Sequence, residues 1–373
     1  MSETVGIVLF VVAILLVVLV HESGHFFTAK AFKIKVEEFF VGFGPRLWST
    51  RRGETEYGIK ALPFGGYVRI AGMNPFQETP PEDLPRTFGA KPIWQRLVVI
   101  GAGPLTHFVM ALLFLAIFHV AIGVPTERRP VVDAVEARLD GQTSPAATAG
   151  LRPGDEIVAI DGQPVGSTER FVTYTRAHVG REITLTVLRD GQRVTVSATP
   201  VLADVNGEEV GRLGVLLGAA RERVDPFTAV GRATIQTGVL TKAIVVRLGD
   251  VFGPPGLRRI GELLVGAERR PDDVASIVGG ARLAGQAIEA GAWDAFFELF
   301  IVVNVFVGIL NLMPLPPLDG GHLAVLAYEK IRRRKPDLRK LVPLTALVAG
   351  FMILFALAVS YIDIVRPLPD PFR

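Results

Sequence analysis

The chain contains no cysteine, which rules out disulfides, thiolate metal sites and cysteine nucleophiles together. Histidine is scarce. There are six, His21, His25, His107, His119, His178 and His322, so a metal would have to be held by some of these with Asp or Glu. Net charge is small as well: 40 basic and 37 acidic residues leave +3, which offers no bulk attraction to a nucleic acid. The N-terminus, Met1-Ser-Glu-Thr4, lacks the Lys or Arg of a secretory signal peptide, and no small-residue cleavage site follows a short apolar run.

What is abundant is apolar. Hydrophobic residues make up 49% of the 373, and they gather into stretches at Val5–Ala29, Leu97–Val124, Trp293–Met313 and Leu341–Ile364. A helix needs roughly 20 apolar residues to cross about 30 Å of hydrocarbon, and each stretch suffices. The expected fold class is a multi-pass α-helical membrane protein with four transmembrane helices, within residues 1–29, 97–124, 293–321 and 341–373, the last carrying a short tail. Basic residues cluster between the first and second spans (Lys30, Lys33, Lys35, Arg46, Arg51, Arg52, Lys60, Arg69) and between the third and fourth (Lys330, Arg332, Arg333, Arg334, Lys335, Arg339, Lys340). The positive-inside rule makes both loops cytoplasmic, so both termini and the long central segment face outward from the plasma membrane.

The connecting segments carry their own signals. Within the loop at 30–96, Val36–Ile70 alternates aromatic and β-branched residues with Gly and Pro turns, which predicts a hairpin touching the membrane interface. Residues 125–203 predict a small β-rich domain. In AGLRPGDEIVAIDGQPV, Ile157–Ile160 reads as a strand and Asp161-Gly162 as a hairpin turn; ITLTVLRDGQRVTVSA repeats the pattern around Asp190-Gly191. Residues 204–292 read as a linker with surface helices, broken by Pro and Gly at 253–256, and residues 322–340 as a basic loop.

The chemistry-bearing pattern is His21-Glu22-Ser23-Gly24-His25, an H-E-x-x-H sequence inside the first apolar stretch. Residues four apart share a helix face, so both imidazoles reach one metal and Glu22 stands beside it as a general base. The plainer reading is two buried histidines that hydrogen-bond within a bundle. Three ionisable groups in one apolar helix oppose it, because such groups are expensive in a membrane and mark function by default. Catalytic zinc takes three protein ligands, and Asp319 is the third candidate, in Asn311-Leu-Met-Pro314-Leu-Pro-Pro-Leu-Asp319-Gly320-Gly321-His322. The first and third stretches run in the same direction, so His21, His25 and Asp319 fall at similar depth. The prolines stop the helix and let Asp319 turn back toward the bundle.

An HExxH in the first span, an inserted domain with the LxxGD-x-I-xx-I-x-G core of a PDZ domain, and an NxxPxxxLDG sequence later together resemble the site-2 protease family. GFGPRLW and LPFGGYV, with one PDZ domain, look like its bacterial RseP type. The resemblance spans nearly the whole chain. It implies an intramembrane zinc metalloprotease acting on transmembrane segments, such as a trimmed anti-sigma factor or a remnant signal peptide. It implies Zn2+ on His21, His25 and Asp319, with Glu22 as the base and Asn311 and Pro314 near the substrate backbone. It also implies a PDZ domain that filters or docks trimmed substrates and a hairpin edge that holds them extended. The sequence departs from the family at Gly103-Pro-Leu-Thr-His107, where the family carries Asn at the last position. His107 is read as hydrogen-bonding the substrate or supporting the metal ligands; as a fourth ligand it would displace the water. His119 and His178 read as structural or exposed, and His322 as a neighbour of the site. The competing class is a membrane-anchored PDZ scaffold without activity, which the intact Glu22 opposes.

Overall fold

A computed structural model describes residues 2–371 apart from Pro75, Gln77, Asp140, Asn206, Gly207 and Lys335. Lys335 of the basic loop, Met1 and the last two residues of the expected tail thus lie outside the described residues. The chain forms two units, one of residues up to 115 with 232–371, the other of residues 116–231.

The first unit opens with α1 (Glu3–Ala31), a continuous apolar helix. The predicted hairpin follows as β1 (Val36–Arg52) and β2 (Thr55–Ile70), paired antiparallel. Next comes α2 (Ile93–Ala121), which begins before the stretch expected at 97–124. The inserted unit then contributes β3 (Val124–Val135), the two-residue strands β4 (Arg138–Leu139) and β5 (Gln142–Thr143), a single turn α3 (Pro145–Thr148), β6 (Glu156–Ile160), β7 (Gln163–Pro164), α4 (Thr168–Ala177), β8 (Ile183–Arg189), β9 (Gln192–Ala198), β10 (Val201–Val205), β11 (Glu208–Arg212) and β12 (Val215–Glu222).

The main sheet of that unit runs β12-β3-β6-β8-β9, with β7 on β6. Alternation places Ile183, Leu185 and Val187 of β8 on one face, all buried against Ile157, Ile160 and Phe171. Both predicted Asp-Gly turns are two-residue hairpin loops, with Asp161, Gly162, Asp190 and Gly191 all at positive φ. The boundary expected at 203 is too early. β12 pairs with β3, so the sheet closes only at Glu222, and the linker expected from 204 is partly sheet.

The chain then returns to the first unit through α5 (Pro226–Phe252), α6 (Pro254–Leu264), α7 (Ile277–Glu289), α8 (Trp293–Asn311), α9 (Asp319–Arg332) and α10 (Val342–Val365). Four helical segments among the described residues are long and apolar enough to span a membrane: α1, α2, α8 and Leu338–Val365. Their outward residues, among them Val8, Val12, Leu354 and Leu357, are exposed and apolar, as lipid contact requires.

Two sequence expectations need correction here. α7 is not a surface helix: Gly279, Gly280, Ala284, Gly285, Ala287 and Ile288 are buried. A Cβ at Gly6 of α1 would lie 2.7 Å from the Ala284 carbonyl oxygen, so α1 and α7 are in backbone contact through small residues. The loop expected at 322–340 is likewise not all loop. The third span stops at Asn311, and Pro314, Pro316 and Pro317 occupy the turn, as the prolines predict, but the helix that starts at Asp319 continues to Arg332. Proline lacks the N–H and clashes with the preceding turn, which accounts for the break. The bidentate Arg96–Glu329 pair, at 2.7 and 2.8 Å and almost wholly buried, ties α9 to the start of α2.

Candidate metal centre

The i, i+4 spacing in α1 does what helix geometry requires. His21 and His25 project from one face, and their Nε2 atoms stand 3.2 Å apart. The proline turn delivers Asp319 to the same point: Oδ2 lies 3.2 Å from Nε2 of His21 and 3.3 Å from Nε2 of His25. Three donor atoms thus form a nearly equilateral triangle. Ligands held at about 2.0–2.1 Å around a tetrahedral zinc stand about 3.3 Å from one another, so the spacing suits that ion.

The donor chemistry agrees. The Nδ1 of His25 lies 2.8 Å from the carbonyl oxygen of Val99 and donates to it, which leaves Nε2 as a bare lone pair. Two such nitrogens facing each other do not form a hydrogen bond. Asp319 Oδ2 is buried, and no hydrogen-bond donor reaches it among the described residues, although both imidazoles are within ion-pair distance. Neither ring directs an N–H along those lines. A cation at the centre of the triangle satisfies all three atoms at once, as buried polar groups require. Among the described residues, His21, His25 and Asp319 form a group able to hold a metal ion.

Close backbone approach makes room for the rings. A Cβ at Gly103 of α2 would overlap the His25 imidazole, so a larger residue there would push the ligand helix away. Gly320 and Gly321 are packed equally tightly on the backbone of the turn before them. Glu22, Asn311 and Asp319 line one cavity of about 260 Å³, together with Gly65 and Gly66 of β2.

The chain matches the profile of Peptidase family M50 over residues 9–357. The chain belongs to peptidase family M50. It is 36% identical to the zinc metalloprotease Rip1 of Mycolicibacterium smegmatis, with 98% of each chain covered. It is 31% identical to the metalloprotease MmpA of Caulobacter vibrioides, over 87% of this chain and 86% of that one. Among solved structures, the PDZ domain of an SdrC-like protein from Listeria monocytogenes is 23% identical, covering 25% of this chain and 90% of that one with a TM-score of 0.21. The site-2 protease resemblance of the motifs therefore stands as M50 membership.

In this M50 peptidase the remaining expected site residues fall in different places. Asn311, the last residue of α8, lines the cavity. Pro314 is exposed on the turn and is not brought to the cavity lining. His107, expected as a substrate contact or a support for the ligands, is fully buried with both ring nitrogens engaged: Nε2 lies 3.0 Å from His21 Nδ1 and Nδ1 lies 2.9 Å from Asn304 Oδ1. His107 also belongs to the lining of the cavity, so of its two expected roles the contacts drawn here are those of a support for the ligands. His322 sits on the first turn of α9, outside the ligand triangle. His178 stacks on Tyr174 in the β-rich unit, and His119 is buried near the end of α2.

Sequence reasoning missed Asn304. Its signal was present: an amide inside the otherwise apolar run Leu299–Leu310, seven residues before Asn311 and therefore on the same face of α8.

Proposed function

We propose that this M50 peptidase hydrolyses peptide bonds inside the membrane-spanning segments of other membrane proteins, with His21, His25 and Asp319 as its zinc ligands and Glu22 as its general base. One observation carries the reading: two bare imidazole nitrogens and an unpartnered carboxylate oxygen converge within 3.3 Å of one another, next to a glutamate in a cavity. Zinc, when bound there, acts as a Lewis acid toward the scissile carbonyl and makes a neighbouring water more acidic. Glu22 takes the proton from that water and passes it to the leaving amine. The polar cavity supplies the water in an otherwise apolar bundle. Asn311, on the cavity wall, is placed to hydrogen-bond a substrate amide.

A transmembrane helix hides its peptide bonds in its own hydrogen bonds, so the substrate has to unwind before cleavage. Gly65 and Gly66 bring the backbone of β2 to the cavity wall, which suits strand addition to an extended segment. The charge asymmetry of the loops supports an orientation with the metal centre toward the cytoplasmic side of the plasma membrane and the β-rich unit outside, as a screen for substrates already trimmed by another protease. Candidate substrates are single-span proteins such as an anti-sigma factor or a remnant signal peptide.

The test is Glu22→Gln in the full chain, with a co-expressed single-span substrate. Cleavage falls by about 10²–10⁴-fold, the usual share of general acid–base catalysis, while zinc content stays near one per chain. Unchanged cleavage would remove Glu22 from the mechanism, and purified wild-type chain without stoichiometric zinc would remove the metal centre.

A further inference from the structure

His107 lies inside an apolar helix and is 0% exposed. A buried imidazole is retained at such a place only when its polar atoms are satisfied. Its partners form a directed chain. Asn304 Nδ2 is 2.8 Å from the backbone oxygen of His107, and only the amide nitrogen can donate to a carbonyl. That fixes Asn304 Oδ1, 2.9 Å from His107 Nδ1, as an acceptor. His107 therefore carries its proton on Nδ1 and offers a lone pair at Nε2, 3.0 Å from His21 Nδ1. His21 in turn donates from Nδ1 and keeps Nε2 bare, facing Asp319. The contact is locked by close packing: a Cβ at Gly308, one turn beyond Asn304, would lie 2.7 Å from the His107 Cβ.

We infer that His107 and Asn304 are positioning residues, which fix the tautomer and ring orientation of His21 so that its Nε2 points at the metal. The second imidazole ligand obtains the same service from a main-chain oxygen, Val99, so the two ligands are held by different devices. Partners of this kind raise metal affinity by about 10–100-fold in zinc sites generally. The inference rests on the metal-centre reading above, and it makes His21 the ligand whose alignment depends on α8 as well as α2.

The experiment compares His107→Gln with His107→Asn in the full-length, detergent-purified, zinc-loaded protein. Glutamine carries an amide oxygen out to where Nε2 stood and can still accept from His21. Asparagine reaches only to where Nδ1 stood, so it keeps the α8 side of the contact and loses His21. The readout is the rate of zinc transfer to a chelator, with the unfolding midpoint of the metal-free protein as a fold control. His107→Asn releases zinc about 10–100-fold faster than wild type, and His107→Gln stays within about threefold of it. Asparagine holding zinc as wild type does, or glutamine faring no better than asparagine, overturns the inference while leaving the metal centre standing. A wild type without zinc would instead sink the metal-centre reading itself. A measurement free of variants guards against misfolding: cobalt-substituted wild type shows two slowly exchanging, paramagnetically shifted ring N–H signals, one for each ligand histidine. Only one such signal overturns the inference.

Discussion

Two aspartates of the helical unit, one buried and one half-buried, are built to opposite designs. Asp363, in α10, is 1% exposed and closed on itself. Its Oδ1 accepts from Arg269 at 2.7 Å, its Oδ2 from the Ser276 amide at 2.6 Å, and its backbone oxygen from Arg282 at 3.1 Å. Asp319 has two imidazole nitrogens beside Oδ2 and, among the described residues, no donor pointing at it. A charge that serves architecture is given its full complement of partners, because an uncompensated buried charge is costly. A charge that serves chemistry is left incomplete within the protein, and in the proposed mechanism a metal ion completes it.

The sharpest way to break that comparison is to remove both carboxylates in turn. Asp319→Ala abolishes cleavage and stoichiometric zinc binding, the largest effect expected anywhere in the chain. The metal-free protein keeps its unfolding midpoint or gains slightly, since no hydrogen bond to Oδ2 is lost. Asp363→Ala does the reverse. It strands the Arg269 guanidinium and the Ser276 amide and costs about 3–5 kcal/mol of stability. The folded fraction still binds zinc and cleaves at the wild-type rate. Denaturant titration with metal analysis on both variants decides the matter, and loss of zinc from folded Asp363→Ala would erase the distinction.

The same contrast explains what could be read from the sequence. His21, Glu22 and His25 are neighbours along one helix, so their convergence follows from local geometry alone. Asp319 was reachable because the proline turn and the direction of the spans limit where it can go. The Asp161-Gly162 and Asp190-Gly191 turns were legible because their backbone needs positive φ. Long-range partners were not. Arg96 and Glu329 meet across 233 residues and Asn304 and His107 across 197, and nothing at either end names the other. α7 was misread as a surface helix because its Gly and Ala residues show weak hydropathy, although small size is what lets it press against α1. β12 was missed for a related reason: its place in the sheet is set by β3, far upstream.

The β-rich unit offers the mildest test of whether closed carboxylates carry architecture. Asp155, 1% exposed, accepts from Arg189 Nε and Nη2 at 2.7 Å each and from the Arg152 amide at 2.9 Å. Burial alone would raise its pKa, but the Arg189 guanidinium and the Arg152 amide overcome it and hold the carboxyl below the ordinary aspartate range. A folded pKa below the unfolded one means stability that is complete above the ordinary aspartate value of about 3.9 and is lost as pH falls through the lower, folded value. Asp155→Asn keeps the shape and removes the charge. It lowers the stability of this unit by about 2 kcal/mol at neutral pH, seen as faster amide exchange in β6 and β8, with zinc content and cleavage chemistry untouched. The gap in melting temperature between wild type and Asp155→Asn narrows as the pH is taken below the ordinary aspartate range, because the wild-type carboxyl then takes up its own proton. A gap that stays open there would mean that the shape of the Arg189 contact, and not its charge, holds β6 to β8.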